Sequence, residues 1–220
     1  LWLETAETLA GPGWEDAAER PRLRLPDRAD CARPMLEGPA AIEGGEVFLV
    51  HGWSETVARG LELVQARGLG PEVIVSEGGP DLGGRRLARR LVASGIKVRF
   101  VYDAALVAAV RRADRVWLGS DALGTVEFLG RVGTGALVER ARDLGVITTL
   151  LATTDKLRPG GEIVLPGWAS GEAWHLWESA PKDVDVEAQP FEAVGLEGLE
   201  LEDAAAADQR LVDLKVGVFG

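Results

Sequence analysis

From residue 46 to residue 154 the chain alternates short apolar runs with stretches of helical periodicity. The apolar runs are "EVFLVH" (46–51), "EVIVS" (72–76), "KVRFVYD" (97–103), "RVWLGSD" (115–121) and "VITTLLATT" (146–154). Their length and their β-branched and aromatic content read as strands. Between them, "SETVARGLELVQARG" has helical spacing, with Ser54 placed as an N-cap. Gly68 and Gly70 end that helix and Pro71 prevents its resumption. "PDLGGRRLARRLVASG" predicts a second helix with Leu87, Leu91 and Val92 on one face, followed by helices at "AALVAAVRRA" and "GALVERARDLG". Strands separated by helices of this length must be joined by right-handed crossovers, which gives an α/β fold with a parallel sheet covered on both faces. In such a sheet a ligand binds at the carboxyl ends of the strands. Those ends are His51, Ser76 and Glu77, Asp103, Ser120 and Asp121, and Thr153 to Lys156.

The flanks are patterned differently. Residues 1–40 carry Pro12, Pro21, Pro26, Pro34 and Pro39, a spacing that forbids a long helix. They read as a short helix near "LWLETAETLA" followed by a surface arm, with one domain over residues 41–220. Beyond residue 157 the expectations are a hairpin in "LRPGGEIVLPGW", a short helix in "GEAWHLWESA" and an acidic, mostly irregular tail.

Charge narrows the partners. With 24 basic against 35 acidic residues the net charge is −11, a poor match for direct binding of nucleic acid or an anionic membrane. The single cysteine, Cys31, excludes an internal disulfide and fits a reducing compartment. No apolar run reaches membrane-spanning length, and "LWLETAETLAG" lacks a basic leader region, so the expected location is cytoplasmic.

Several chemistries find no support. Cys31, His51 and His175 have no spacing that builds a metal site, and no metal or cofactor is expected. The glycines of "GGPDLGG" (78, 79, 83 and 84) do not match a dinucleotide or phosphate-loop motif. Ser54 lacks a nucleophile elbow and is better explained as a helix cap. Asp103, Asp121 and Glu77 would converge at one edge of the sheet, where a carboxylate can act as a general base. The plainer reading makes Asp103 and Asp121 caps of the helices that follow them, and it takes precedence. Trp174 and Trp177, three apart with His175 between, fit core packing or a homodimer contact better than a ligand cage.

Four segments carry a resemblance: "AIEGGEVFLVHGWSETV", "EVIVSEGGPDLGGRRLARRLVASGIKVRFVYDAA", "RVWLGSDAL" and "RVGTGALVERARDLGVITTLLATTDK". In that order, residues 41–156 resemble the regulatory subunits of translation initiation factor 2B and their relatives, the methylthioribose-phosphate and ribose-bisphosphate isomerases. The resemblance implies a Rossmann-like domain of the ribose-phosphate isomerase and CoA-transferase type, usually dimeric. The isomerases of this family use a cysteine in the turn after the first strand and an aspartate in a Gly-Ala-Asp turn. Asp121 in "GSDAL" matches the aspartate, whereas the cysteine position falls on Gly52. The family's Thr-Glu-Ser-Arg-Pro segment, whose arginine binds phosphate, reads "SEGGP", with Gly79 at the arginine position. Its Asn-Lys pair reads Gly130-Arg131. The implied catalytic residue, for an active chain, is Asp121. The implied ligand-binding residues are His51, Gly52, Ser54, Glu77, Gly119, Arg131, Gly133, Thr134 and Lys156.

Gly52 removes a proton-transfer or nucleophilic group, and such groups typically contribute roughly 10²–10⁴-fold in rate. Gly79 removes a bidentate phosphate clamp. The resulting expectation is a non-catalytic, initiation-factor-2B-like homodimer whose degenerate site holds a small phosphorylated metabolite. One alternative is an aldose–ketose isomerase of a ribose-type phosphate, with Asp121 as base and His51 or Glu77 as acid. Another is an interaction module assembling through the tryptophan-rich stretch Trp168–Trp177.

Overall fold

The computed structural model describes residues 42–153, the single residues 156, 158 and 163, and residues 174–197 and 199–203. The proline-rich arm, Cys31, Trp168 and most of the expected hairpin at 157–168 lie outside the described residues.

All five expected strands form: β1 (Val47–Val50), β2 (Glu72–Ser76), β3 (Lys97–Val101), β4 (Arg115–Gly119) and β7 (Ile147–Ala152). The helices between them are α1 (Glu55–Ala66), α2 (Gly83–Ala93), α3 (Asp103–Ala109) and α4 (Thr134–Leu144). Ser54 caps α1 as its pattern predicts, its Oγ accepting from the Val57 N–H at 3.3 Å. The strands assemble in the order β3-β2-β1-β4-β7, and every neighbouring pair is parallel. The direction of winding therefore reverses between β1 and β4, and the carboxyl ends of those two strands flank the crevice that such a reversal creates.

Alternate residues of each central strand face opposite layers, and both layers are dry. Leu49, Ile74, Leu118 and Leu150 join Leu106, Phe128 and Leu137 in one core. Phe48, Val50, Trp117 and Leu151 join Val57, Leu61, Leu87 and Leu91 in the other. In that second core the Phe48 and Trp117 rings meet edge to face with centroids 4.7 Å apart. Leu87 and Leu91 take the core face of α2 as expected, but Val92 is exposed. It follows Leu91 directly, so it is turned about 100° away from the buried stripe.

The acidic tail is more ordered than its composition suggests. It contributes β8 (Phe191–Gly195) and β9 (Glu200–Asp203), and a four-residue helix α5 spans Trp174–Trp177. β9 extends the parallel sheet beyond β7, making six strands. β8 joins two further strands unanticipated from sequence, β5 (Ala122–Leu123) and β6 (Glu127–Arg131), in an antiparallel sheet of order β5-β6-β8. This second sheet carries Arg131 to the crevice. Trp177 is half exposed and so is not a core residue.

Trp117 of β4, a strand flanked by β1 and β7, is completely buried. Trp117→Ala should destabilise the fold by about 3–5 kcal/mol, read as a lower urea midpoint with an unchanged denaturant slope.

Candidate functional site

The crevice between β1 and β4 collects residues from the turn after β1, the connection between β2 and α2, the start of α3, the turn after β4, the end of β6, β8, and Lys156 beyond β7. Each is positioned by the strand it leaves or lies on.

His51 follows β1 directly, and its side chain is 5% exposed. Its Nε2 stands 4.0 Å from Asp103 Oδ1, and its buried Nδ1 has no hydrogen-bond partner among the described residues. Burial lowers the pKa of the ring below the ordinary histidine value. Arg131 reinforces that shift, while Asp103 and Glu192 oppose it. His51 is thus a neutral imidazole near pH 7.

Asp103 does not cap its own helix. It is the first residue of α3, whose N-cap is Tyr102, and its carboxylate reaches back to the connection after β2. Oδ1 accepts from the Gly78 N–H and Oδ2 from the Gly79 N–H, both at 2.8 Å. Burial pushes its pKa up, but these hydrogen bonds outweigh that effect and the net shift is downward. Asp103 is therefore an anion that pins a loop, a role that two glycine N–H groups 24 and 25 residues upstream make possible.

Gly52 takes a left-handed conformation with φ of 69°. The stem of Arg131 lies across it, so that a Cβ at position 52 would stand 2.7 Å from Cδ and 2.9 Å from Nε. Both the backbone angle and the lack of space favour glycine here. The guanidinium then reaches the connection between β2 and α2. Nη1 donates to the Gly79 carbonyl at 3.3 Å and Nη2 to Asp81 Oδ2 at 2.7 Å. Its centre also lies 5.5 Å from the Phe191 ring centroid on β8.

Asp121 follows β4 and leads into the short strand β5, with no helix behind it to cap. Its N–H donates to the Leu129 carbonyl at 3.1 Å. The side chain is reached by solvent at the rim of the crevice. The protein packed around it nevertheless raises its pKa above the ordinary carboxylate value; Lys156 and Arg131 pull it down and Asp81 pushes it further up. The expected convergence of three carboxylates thus resolves into two groups, His51 with Asp103 and Asp121 with Lys156. Arg131 lies near enough to act on both.

The remaining candidates are structural in what they touch. Glu77 enters through its backbone, its N–H donating to Val101 and its carbonyl accepting from Gly84. Gly119 gives the Ser54 side chain its space, since a Cβ there would stand 2.5 Å from that of Ser54. Gly133, with φ of 94°, precedes α4 against the His51 ring, and Thr134 is buried at the first helical position. Lys156 donates its backbone N–H to Thr153. Two carboxylates that the sequence did not single out also belong to the site. Asp81 holds Arg131, and Glu192 of β8 accepts from the Gly135 N–H at 2.8 Å at the start of α4. Among the described residues no cluster of His, Cys, Asp and Glu could hold a metal ion.

Residues 35–160, more than half of the chain, match the Initiation factor 2 subunit family, and the chain belongs to it. It is 33% identical over 160 residues to a protein of Haloterrigena turkmenica named ribose 1,5-bisphosphate isomerase, covering 69% of this chain and 49% of that one. It is 28% identical over 132 residues to a Pyrococcus horikoshii protein named putative translation initiation factor eIF-2B subunit 2-like, covering 58% and 48%. The chain thus spans about half the length of these curated relatives. Among solved structures, the delta subunit of translation initiation factor eIF-2B from A. fulgidus superposes with a TM-score of 0.70 at 21% identity, covering 92% of this chain and 60% of that one. The 5-methylthioribose 1-phosphate isomerase of Pyrococcus horikoshii gives 0.69 at 17%, covering 85% and 58%. Those two likenesses establish the shared fold.

The buried, neutral His51 has a consequence in solution. Below the ordinary value of 6.5 the unfolded chain binds a proton that the folded chain resists. Stability is therefore full above that value and declines as pH falls through the window beneath it. The loss due to Asp103 begins only near its ordinary value of 3.8. Urea midpoints measured from about pH 7 to about pH 5 should fall for the native sequence and fall less for His51→Gln. Equal slopes would contradict a neutral His51.

Proposed function

We propose that this chain binds a small phosphorylated sugar or nucleotide at the carboxyl ends of β1, β2 and β4 and does not convert it. The observation that carries this reading is Arg131 lying across Gly52. The first turn has no side chain that could donate or accept a proton at position 52, and the arginine stem takes the space such a group would need. What remains is suited to holding an anion. Arg131 and Lys156 bring positive charge to one place in a chain of net charge −11, and a guanidinium matches a phosphate bidentately. The reading is that of a non-catalytic, initiation-factor-2B-like protein. Assembly as a homodimer, a place in translation and residence in the cytoplasm are parts of the same proposal and rest on family membership.

One observation favours the rival reading, an aldose–ketose isomerase of a ribose-type phosphate. Such a reaction moves one proton between neighbouring carbons, which needs a group that takes and returns it. Asp121 is a carboxylate with raised proton affinity beside Lys156, and relatives bear the name ribose 1,5-bisphosphate isomerase.

Calorimetric titration with ribose 5-phosphate, ribose 1,5-bisphosphate and AMP, together with a turnover assay on the two sugars, separates these readings. Saturable binding that Arg131→Gln weakens about tenfold or more, without turnover, supports the proposal. Turnover that disappears in Asp121→Asn establishes the isomerase. Absence of binding at millimolar ligand overturns both.

A further inference from the structure

We propose that Asp81 is a displaceable internal occupant of the anion site, a carboxylate that holds the Arg131 guanidinium until a phosphate takes its place. The inference rests on the binding reading above and adds how that site is gated. It starts from the unequal anchoring of the two partners. Arg131 is 14% exposed, its stem is confined by Gly52, and its Nη1 is tied to the Gly79 carbonyl. Asp81 is 48% exposed and lies on the short connection between β2 and α2. An ion pair with one partner half in water is weakly held, because solvent competes for it and salt screens it. When the pair opens, the carboxylate is the partner free to move and the guanidinium stays in place.

Asp81 has somewhere to go. Its Oδ1 already accepts from the Gly83 N–H at 3.3 Å, the first residue of α2, so it can leave Arg131 and keep a hydrogen bond at a helix N-terminus. A phosphate presents more acceptor oxygens and a larger charge than a carboxylate, and it satisfies the same N–H groups of the fixed fork. The arginine is therefore built to exchange one anion for another. Asp81 also acts on Asp121, whose proton affinity it increases. Releasing Asp81 toward Gly83 frees the guanidinium and reduces the negative charge facing an incoming phosphate.

The test is a titration with ribose 5-phosphate and with inorganic phosphate on five forms of the chain, after their unliganded melting temperatures show that each folds. Asp81→Asn should bind about five- to tenfold more tightly than the native sequence, the change expected from removing one charge a few ångströms from the ligand. Asp143→Asn removes the same charge from the far end of α4, about 14 Å along that helix, and should leave affinity unchanged. The deciding form is Asp81→Asn combined with Arg131→Gln, compared with Arg131→Gln alone. A latch acting through the guanidinium requires most of the gain to vanish in that background. If the gain persists undiminished, Asp81 acts only by general repulsion and the latch is wrong. If the native chain binds and Asp81→Asn binds equally, the latch fails while the binding reading stands. If no form binds either anion, both fall together.

Discussion

The crevice depends on β1, a four-residue strand hydrogen-bonded along both edges. Val47–Val50 pair with Glu72–Val75 of β2 on one side, and Phe48–Val50 pair with Arg115–Trp117 of β4 on the other. Because the winding reverses there, the chain leaving β1 and the chain leaving β4 have no crossover helix between them. His51, Gly52 and Asp121 face the same crevice for that reason. The strand is fixed in register by burying Phe48 and Val50 in one layer and Leu49 in the other. A slip of one residue would exchange the layers and carry the whole turn with it.

The layers explain what could be read directly from the sequence. A parallel strand buried on both faces must be almost wholly apolar, so "EVIVS" and "RVWLG" announce themselves in isolation. The antiparallel sheet gives no such signal. β5 has two residues, β6 contains Gly130 and Arg131, and β8 pairs with β6 from about sixty residues further along. Nothing local marks "FEAVG" as a strand when its partner is so distant and it sits in an acidic stretch. The same limit applies at the site. That Asp103 stands at a strand end was legible, but its partners are backbone N–H groups of another loop, and the cap reading was the natural local inference. Asp81 and Glu192 carry no motif. Their roles exist only because β6 and β8 bring an arginine and a carboxylate to the crevice.

The electrostatics of the crevice follow from that second sheet. The donors there are already occupied by the protein's own carboxylates: Asp103 on the Gly78 and Gly79 N–H groups, Asp81 on Arg131, and Glu192 on the Gly135 N–H. They differ in how firmly they are held. Asp103 accepts two short backbone hydrogen bonds that lower its pKa, the mark of a carboxylate whose surroundings prefer it charged. Asp81 is half exposed and pairs with an arginine that is not. The firm pair shapes the loop, and the weaker pair is the one more open to solvent.

Gly52 and Gly79 together change what the crevice is. Read one at a time, each is a functional side chain replaced by nothing. In the folded chain both lie against Arg131, its stem passing over Gly52 and its Nη1 meeting the Gly79 carbonyl. A side chain at position 52 would drive the stem away. At position 79 a Cβ would meet Asp103 Oδ2 at 3.4 Å, an ordinary contact. With no side chain at position 52, one arginine from β6 crosses the first turn and places its charge at the loop after β2. Position 52 thus offers no side chain to the crevice, and a guanidinium stem lies over it, the arrangement on which the proposed anion-holding role rests.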